Sequence, residues 1–419
     1  MKKYLYLAAA AVFTLSACHK DSKDEVTPSD PQGKGDVKEA LDNQKSKEQL
    51  QTYATDFLNA FKPEDQKRAI NVLNAFADAF DENDKPASWS SDEDEPMFMG
   101  NYASNLAKSL EKKDYANATK VNDDFVWNFE EYTGVFEANG EEWVKTAESS
   151  DIVFKFKCDG KDCEFKAVSS GNVSDSFDNG NELIKIDLPA NVTITLTQAG
   201  DELVKTVFVA NYKTQSNMKT TVTLTVANMI VTSETTITNT ELSDIQTLSI
   251  DGNTLIHYTF GLKGNHFCDL DHFETVAQDD SYDELKTKDY VESMYGKINV
   301  MGNVQITLDA NFGSDFDKLD DFDHSNTKES VEEYCNAWNN VFKMKFFYSG
   351  SNVQQGSFKQ QPVGETLSWG FEDWRSELVI EFEADGTTYA FEDYFNEDKF
   401  ADTNNQYDAL WDKYEAYWK

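Results

Sequence analysis

Val192-Thr193-Ile194-Thr195-Leu196 and Val222-Thr223-Leu224-Thr225-Val226 each alternate an apolar residue with threonine, without exception. A period of two marks a strand, because successive side chains point to opposite faces of a sheet. With threonine as the alternate residue, one face of each strand is buried and the other is wet, as in antiparallel sheets. Working outward, Asn139-Gly140, Asp159-Gly160, Ala199-Gly200 and Asp251-Gly252 lie between further strand-like runs and mark tight turns. No helix-length pattern interrupts residues 123 to about 265, which sets aside parallel βαβ folds. The region reads as an antiparallel meander, either a sandwich or a strongly curved open sheet.

The flanks read differently. Leu50, Tyr53, Ala54, Phe57, Leu58 and Phe61 recur at three- and four-residue steps, one face of a helix. Ile70, Leu73, Phe76, Ala77 and Phe80 form a second stripe, in a helix opened by Pro63 with Glu64 and Asp65 in its first turn. Two short-linked amphipathic helices predict an antiparallel hairpin. A third helix is expected over Phe98 to Lys112. The last third is mixed. Ser330 to Phe342 is helical, with Val331, Tyr334, Cys335 and Trp338 on one face. Leu378–Phe382 and Thr387–Phe391 flank a turn at Asp385-Gly386. A C-terminal helix aligns Tyr407, Leu410, Trp411, Tyr414 and Trp418, a stripe expected to dock on the sheet. The fold class is therefore α+β. A helical part spans 44–122, an antiparallel β region spans 123–275, and an α+β region packing with it spans 276–419.

Composition limits the partners. The 419 residues carry 38 Lys+Arg against 76 Asp+Glu, a formal net charge of −38. Such a surface repels phosphate backbones and anionic lipid headgroups, so nucleic acid is excluded as a partner, as is charge-driven membrane adsorption. With 29 Phe, 18 Tyr and 8 Trp there is ample material for a core.

Lys2 and Lys3 precede an apolar run from Tyr4 to Leu15, and Leu15-Ser16-Ala17-Cys18 closes the segment. As a helix the run is only about 18 Å long, too short for a hydrocarbon core of ~30 Å, so residues 1–17 read as a secretory signal peptide. The Leu-Ser-Ala-Cys end resembles the lipobox of bacterial lipoproteins. The resemblance covers these eighteen residues alone. It implies cleavage before Cys18 and acyl chains, palmitate among them, on the new N-terminal residue. A single chain anchors only marginally at about 0.8 kcal/mol per CH₂, whereas several hold the protein stably. His19 follows Cys18 where the family's inner-membrane members carry Asp, which implies the outer membrane. Asp21, Asp24 and Glu25 resemble the acidic stretch of surface-exported members, so the body is expected on the periplasmic face or at the cell surface. Residues 18–43, with Pro28, Pro31, Gly33 and Gly35, form a flexible tether.

Four cysteines remain for an oxidising compartment: Cys158, Cys163, Cys268 and Cys335. A hairpin at Asp159-Gly160 is expected to bring Cys158 opposite Cys163 for a disulfide, which leaves Cys268 for Cys335. A metal reading of His266, Cys268 and His272 competes with this pairing, at a spacing that matches no known zinc pattern. Asp315, Asp317, Asp320, Asp321 and Asp323 offer oxygen ligands for Ca²⁺, against the alternative of a solvated acidic loop. Trp89, Trp143, Trp369 and Trp374 are candidates for stacking on a ligand. No nucleophile elbow, zinc-protease motif, phosphate loop or dinucleotide fingerprint is present. No cofactor is expected, and no catalytic residue is assigned.

These readings converge on a non-catalytic lipoprotein that binds or scaffolds at the cell envelope, with the lipid anchor as its membrane contact and a protein, glycan or lipid as ligand. Two alternatives differ in kind. One is a carrier with a hydrophobic ligand held in the hollow of a curved sheet, similar in architecture to LolA-type envelope proteins. The other is a glycoside hydrolase using two carboxylates ~5–10 Å apart.

Overall fold

The computed structural model describes residues 37, 39–82, 125–126, 129–178, 183–213, 217–268, 291–313, 316, 319, 327–348, 352–366, 372–396 and 400–417. The third helix expected at Phe98–Lys112 lies outside them.

The chain forms one seventeen-stranded sheet. The strands are β1 (Phe125–Val126), β2 (Gly134–Ala138), β3 (Trp143–Ala147), β4 (Ile152–Cys158), β5 (Lys161–Asp178) and β6 (Leu183–Gln198). They continue with β7 (Asp201–Lys213), β8 (Asn217–Val226), β9 (Met229–Thr238), β10 (Glu241–Ile250), β11 (Asn253–Gly264) and β12 (Val291–Val300). The last are β13 (Val304–Asn311), β14 (Phe342–Tyr348), β15 (Gln354–Thr366), β16 (Glu372–Phe382) and β17 (Thr388–Ala390). From β4 to β17 each strand pairs antiparallel with the next. An antiparallel pairing of β2 with β3 and two parallel pairings, β2 with β4 and β1 with β6, complete it. The meander therefore does not stop near residue 275: β11 pairs with β12 across the intervening segment and the same sheet runs on to Ala390.

Five helices accompany it among the described residues: α1 (Asn43–Ala60), α2 (Pro63–Glu82), α3 (Lys328–Val341), α4 (Phe391–Asn396) and α5 (Ala401–Tyr417). Asp42 caps α1 by accepting the amide of Lys45 at 2.9 Å, which satisfies one orphan donor of the first turn. Pro63 begins α2 and sets the preceding link extended.

The antiparallel hairpin expected of α1 and α2 is not what forms. Tyr53 of α1 packs with Phe346, Tyr348, Phe358 and Phe382 of β14–β16, and Phe57 and Phe61 reach Leu248, Ile250 and Leu255 of β10–β11. Ala69, Val72, Phe76 and Phe80 of α2 pack on β2–β8 through Phe136, Trp143, Phe154, Phe165, Leu196, Val204 and Val226. Each stripe finds its own strands, so the helices follow one another along the sheet as a bent rod. From β3 to β16 the sheet spans roughly fourteen strand spacings, or about 67 Å at ~4.8 Å each. The two helices end to end reach about 57 Å at 1.5 Å per residue. A shorter rod touching both ends of a longer ribbon requires the ribbon to curve round it, so the helices occupy the concave side of the curved sheet. Bulges at Leu203, Leu255 and Gln355, each beside a turn at the helix end of the sheet, add twist and bend there.

α5 also differs from expectation. It docks on α1 and α2 rather than on the sheet. The Tyr414 hydroxyl donates to Gln66 Oε1 at 3.0 Å, and Asn74 Nδ2 donates to the Tyr417 carbonyl at 2.6 Å. Nearer the start of α5 the same stripe leaves Tyr407 and Trp411 more than half exposed. α3 sits beside β15, where β14 ends. The Asn339 side-chain amide there donates to the Gln360 carbonyl at 2.7 Å and accepts the Gln360 amide at 2.8 Å. It replaces, for one residue, the strand that is missing.

Candidate functional site

Cross-strand register fixes which side chains face the helices. Leu248 and Ile250 pack on α1, so Leu242, Asp244 and Gln246 of the same strand point inward with them. Propagated through the ladder, one row reads Phe208, Val222, Ser233, Gln246, Tyr258, Ile298, Ile306 and Phe346 from β7 to β14. The next row, one step further from the helices, reads Ala210, Thr220, Thr235, Asp244, Phe260, Gly296, Leu308 and Met344. In these two rows Asp244 is the single Asp, Glu, Lys, Arg or His. Charges such as Lys205, Lys219, Glu234, Lys297, Asp309 and Lys345 all take outward positions. His257 does too, opposite Thr247 with Nδ1 3.2 Å from its hydroxyl, as its alternation predicts.

Asp244 is 1% exposed. Ser233 and Thr235 hydroxyls each donate to its Oδ1 at 3.3 Å, and Gln246 Nε2 donates to Oδ2 at 2.9 Å. Burial raises the carboxyl to about 6, against the opposing pull of those three hydrogen bonds. On either side the wall is apolar, with Tyr258 and Phe260 parallel at 6.4 Å. Ile298, although inward, is 36% exposed, and Val222 joins a cluster of Val192, Phe208 and Ala210 to which only strands contribute. The helices thus cover the wall near their own end and leave its outer rows without them.

Sequence reasoning missed Asp244 and Gln246. The available signal was phase: both fall in step with Leu242, Leu248 and Ile250 at a period of two. Among so many acids a single aspartate carried no weight until register showed the emptiness of charge around it.

The residues singled out from sequence do not converge. The two-residue turn at Asp159-Gly160 pairs Cys158 with Lys161 and Cys163 with Phe156, so the cysteines are diagonal on one face rather than opposite. All four of Cys158, Cys163, Cys268 and Cys335 are free and buried. Burial pushes the thiols up, Cys268 and Cys335 to about 11, which keeps them protonated and poor nucleophiles. No group of three metal-ligating side chains occurs among the described residues. His272, the aspartates 315, 317, 320, 321 and 323, and Cys18, Trp89 and Trp369 lie outside them. Trp143 is no platform: it is 1% exposed, held 5.2 Å from Phe80 and 4.9 Å from Phe154. Trp374 is half-buried and lies against Gly364, where a Cβ would come within 2.6 Å of the indole.

Comparison with family models, with curated proteins and with solved structures finds no match to this chain.

Proposed function

We propose that this chain is a non-catalytic lipoprotein of the outer membrane, anchored through Cys18, and that it acts as a binding module whose working surface is the inward wall of its sheet. The observation that carries the reading is the composition of that wall: two rows over eight strands that are mainly apolar and aromatic, with uncharged polar side chains gathered beside Asp244 and no other charge in them. This favours the carrier of a hydrophobic ligand over a carboxylate-pair hydrolase, which needs two acids facing each other across a cleft. A hydrophobic ligand gains about 25 cal/mol per Å² of apolar surface it buries there. The test is fluorescence titration with N-phenyl-1-naphthylamine, a neutral apolar dye. Saturable enhancement near one dye per chain supports the reading, and no enhancement ends it. The anchor is tested apart. Cys18→Ala is expected to move the protein from the membrane to the soluble fraction, and unchanged fractionation would reject it.

A second reading rests on Tyr407 and Trp411, one turn apart on α5 and 55% and 53% exposed. Such a pair suits stacking on a sugar or a partner protein. Retention on insoluble polysaccharide that Trp411→Ser abolishes would favour it.

A further inference from the structure

The outer rows of the wall combine two features that are costly apart. An apolar surface stands partly open at Ile298, and a carboxylate is buried in it with no cation at any inward position of β7–β14. Ser233, Thr235 and Gln246 donate to Asp244. Hydrogen bonds alone compensate a buried anion incompletely, and a cation brought beside it strengthens in the low dielectric of the site. A charge left so, in the middle of a wall that excludes charge elsewhere, complements a ligand with the opposite charge at one end and an apolar body at the other.

We infer that the hollow of the sheet binds a cationic amphiphile, its ammonium group paired with Asp244 and its hydrocarbon running toward β12 over Phe260, Tyr258 and Ile298. The inference rests on the binding-wall reading and adds the chemical class of the ligand. The stacked rings of Tyr258 and Phe260 flank the carboxylate on β11 and offer their faces to a cation as well. Selectivity follows from the same arrangement. A fatty acid would place a second anion beside Asp244, and a fatty alcohol would bring a donor but no charge.

Competition against N-phenyl-1-naphthylamine on the full-length protein tests this. Dodecylamine, dodecanol and dodecanoate are compared at pH 7.5 and about 0.15 M salt, which screens the general acidity of the surface. Dodecylamine is expected to displace the dye at least tenfold more effectively than dodecanol, and dodecanoate least. Asp244→Asn is expected to retain dye binding and bring the amine within twofold of the alcohol. Glu234→Gln, which removes an outward charge from neighbouring β9, is expected to leave the tenfold preference intact. In the wild type the preference is expected to fade by pH 5, where Asp244 is protonated and the amine is still charged. Among the described inward positions of β9, β10 and β11 no other acid, base or histidine faces Asp244 to share that titration. The pH series decides the matter even if the variant folds poorly. Equal displacement by amine and alcohol in the wild type overturns the inference. So does a preference that survives in Asp244→Asn, or one lost equally in Glu234→Gln. In those cases the binding wall stands. Absence of any dye binding in the wild type removes the wall and the inference together.

Discussion

The two ends of the sheet are built on different terms. At the end where α1 and α2 lie, strands are joined by tight turns. Asp159-Gly160, Ala199-Gly200, Asp251-Gly252 and Met301-Gly302 all carry φ between +52° and +88°. Paired positive φ values give the turn whose twist matches that of the flanking strands. The bent rod grips these turns in sequence. Asn71 accepts from the Cys158 thiol beside the first turn, and Arg68 Nε donates to Gln198 at 2.8 Å and pairs with Asp201 at 2.9 Å. Gln66 donates to Asn228, and Lys62 pairs with Asp251 at 3.1 Å. On the β14–β15 side the bulged Gln355, fully buried, accepts the Leu41 amide at 2.9 Å. At the opposite end two of the connections are long, residues 265–290 between β11 and β12 and residues 312–341 between β13 and β14. Most fully buried aromatic side chains belong to the gripped end, while β8 and β9 are half-buried along most of their length. One end of the sheet is clamped, and the other end holds the wall in which Ile298 is partly exposed and Asp244 is buried.

The sharpest way to break this contrast is to remove a large side chain from each end. Phe154→Ala, beneath Phe80, Phe136 and Trp143, is expected to cost about 3–5 kcal/mol by urea melting. Val209→Ala, 44% exposed toward the other end, is expected to change stability by less than about 0.5 kcal/mol. Equal costs would show that the two ends unfold as one layer. A second measurement uses pH at that wall. Asp244 titrates near 6 in the folded chain, above the ordinary carboxylate value, so its ionisation destabilises the fold as pH rises from about 4 to 6 and fully above that. Asp244→Asn is therefore expected to stabilise at pH 7.5 by up to about 2 kcal/mol, with no gain left at pH 4. A constant difference across that range would refute the assignment. Third, Arg68→Ala loosens the clamp and is expected to cost about 1–2 kcal/mol, with amide exchange quickening at the β6–β7 turn before β8 and β9 respond. The smallest effect has the opposite sign. Ala199 holds φ +54° without the freedom of glycine, so Ala199→Asn is expected to stabilise by about 1 kcal/mol in a thermal melt.

Legibility followed the range of the interaction. The strict alternation at Val192–Leu196 and Val222–Val226 and the glycines of the tight turns gave strands where strands occur, because a period of two and a positive φ are properties of neighbours in sequence. The stripes of α1 and α2 gave helices for the same reason. They do not say what each stripe meets, and the hairpin they predict is in the structure a corner. The cysteines failed by a count of two. The turn is short enough that Cys158 faces Lys161, and the sequence distance to Cys163 concealed the offset. Trp143 failed because exposure is decided by what packs above a residue, here Phe80 from another element.

By itself, the sequence determined that the chain is an acidic, aromatic-rich α+β protein with an antiparallel meander between helices, since hydrophobic period, turn chemistry and charge are local or additive. Only the tertiary structure decided that the meander continues through the last third as one sheet, that it curves round a bent rod of two helices, and that Asp244 faces inward alone. Those facts depend on register summed over many strands. Each strand shows its own two faces, but which face is the inside is settled by what the helices cover.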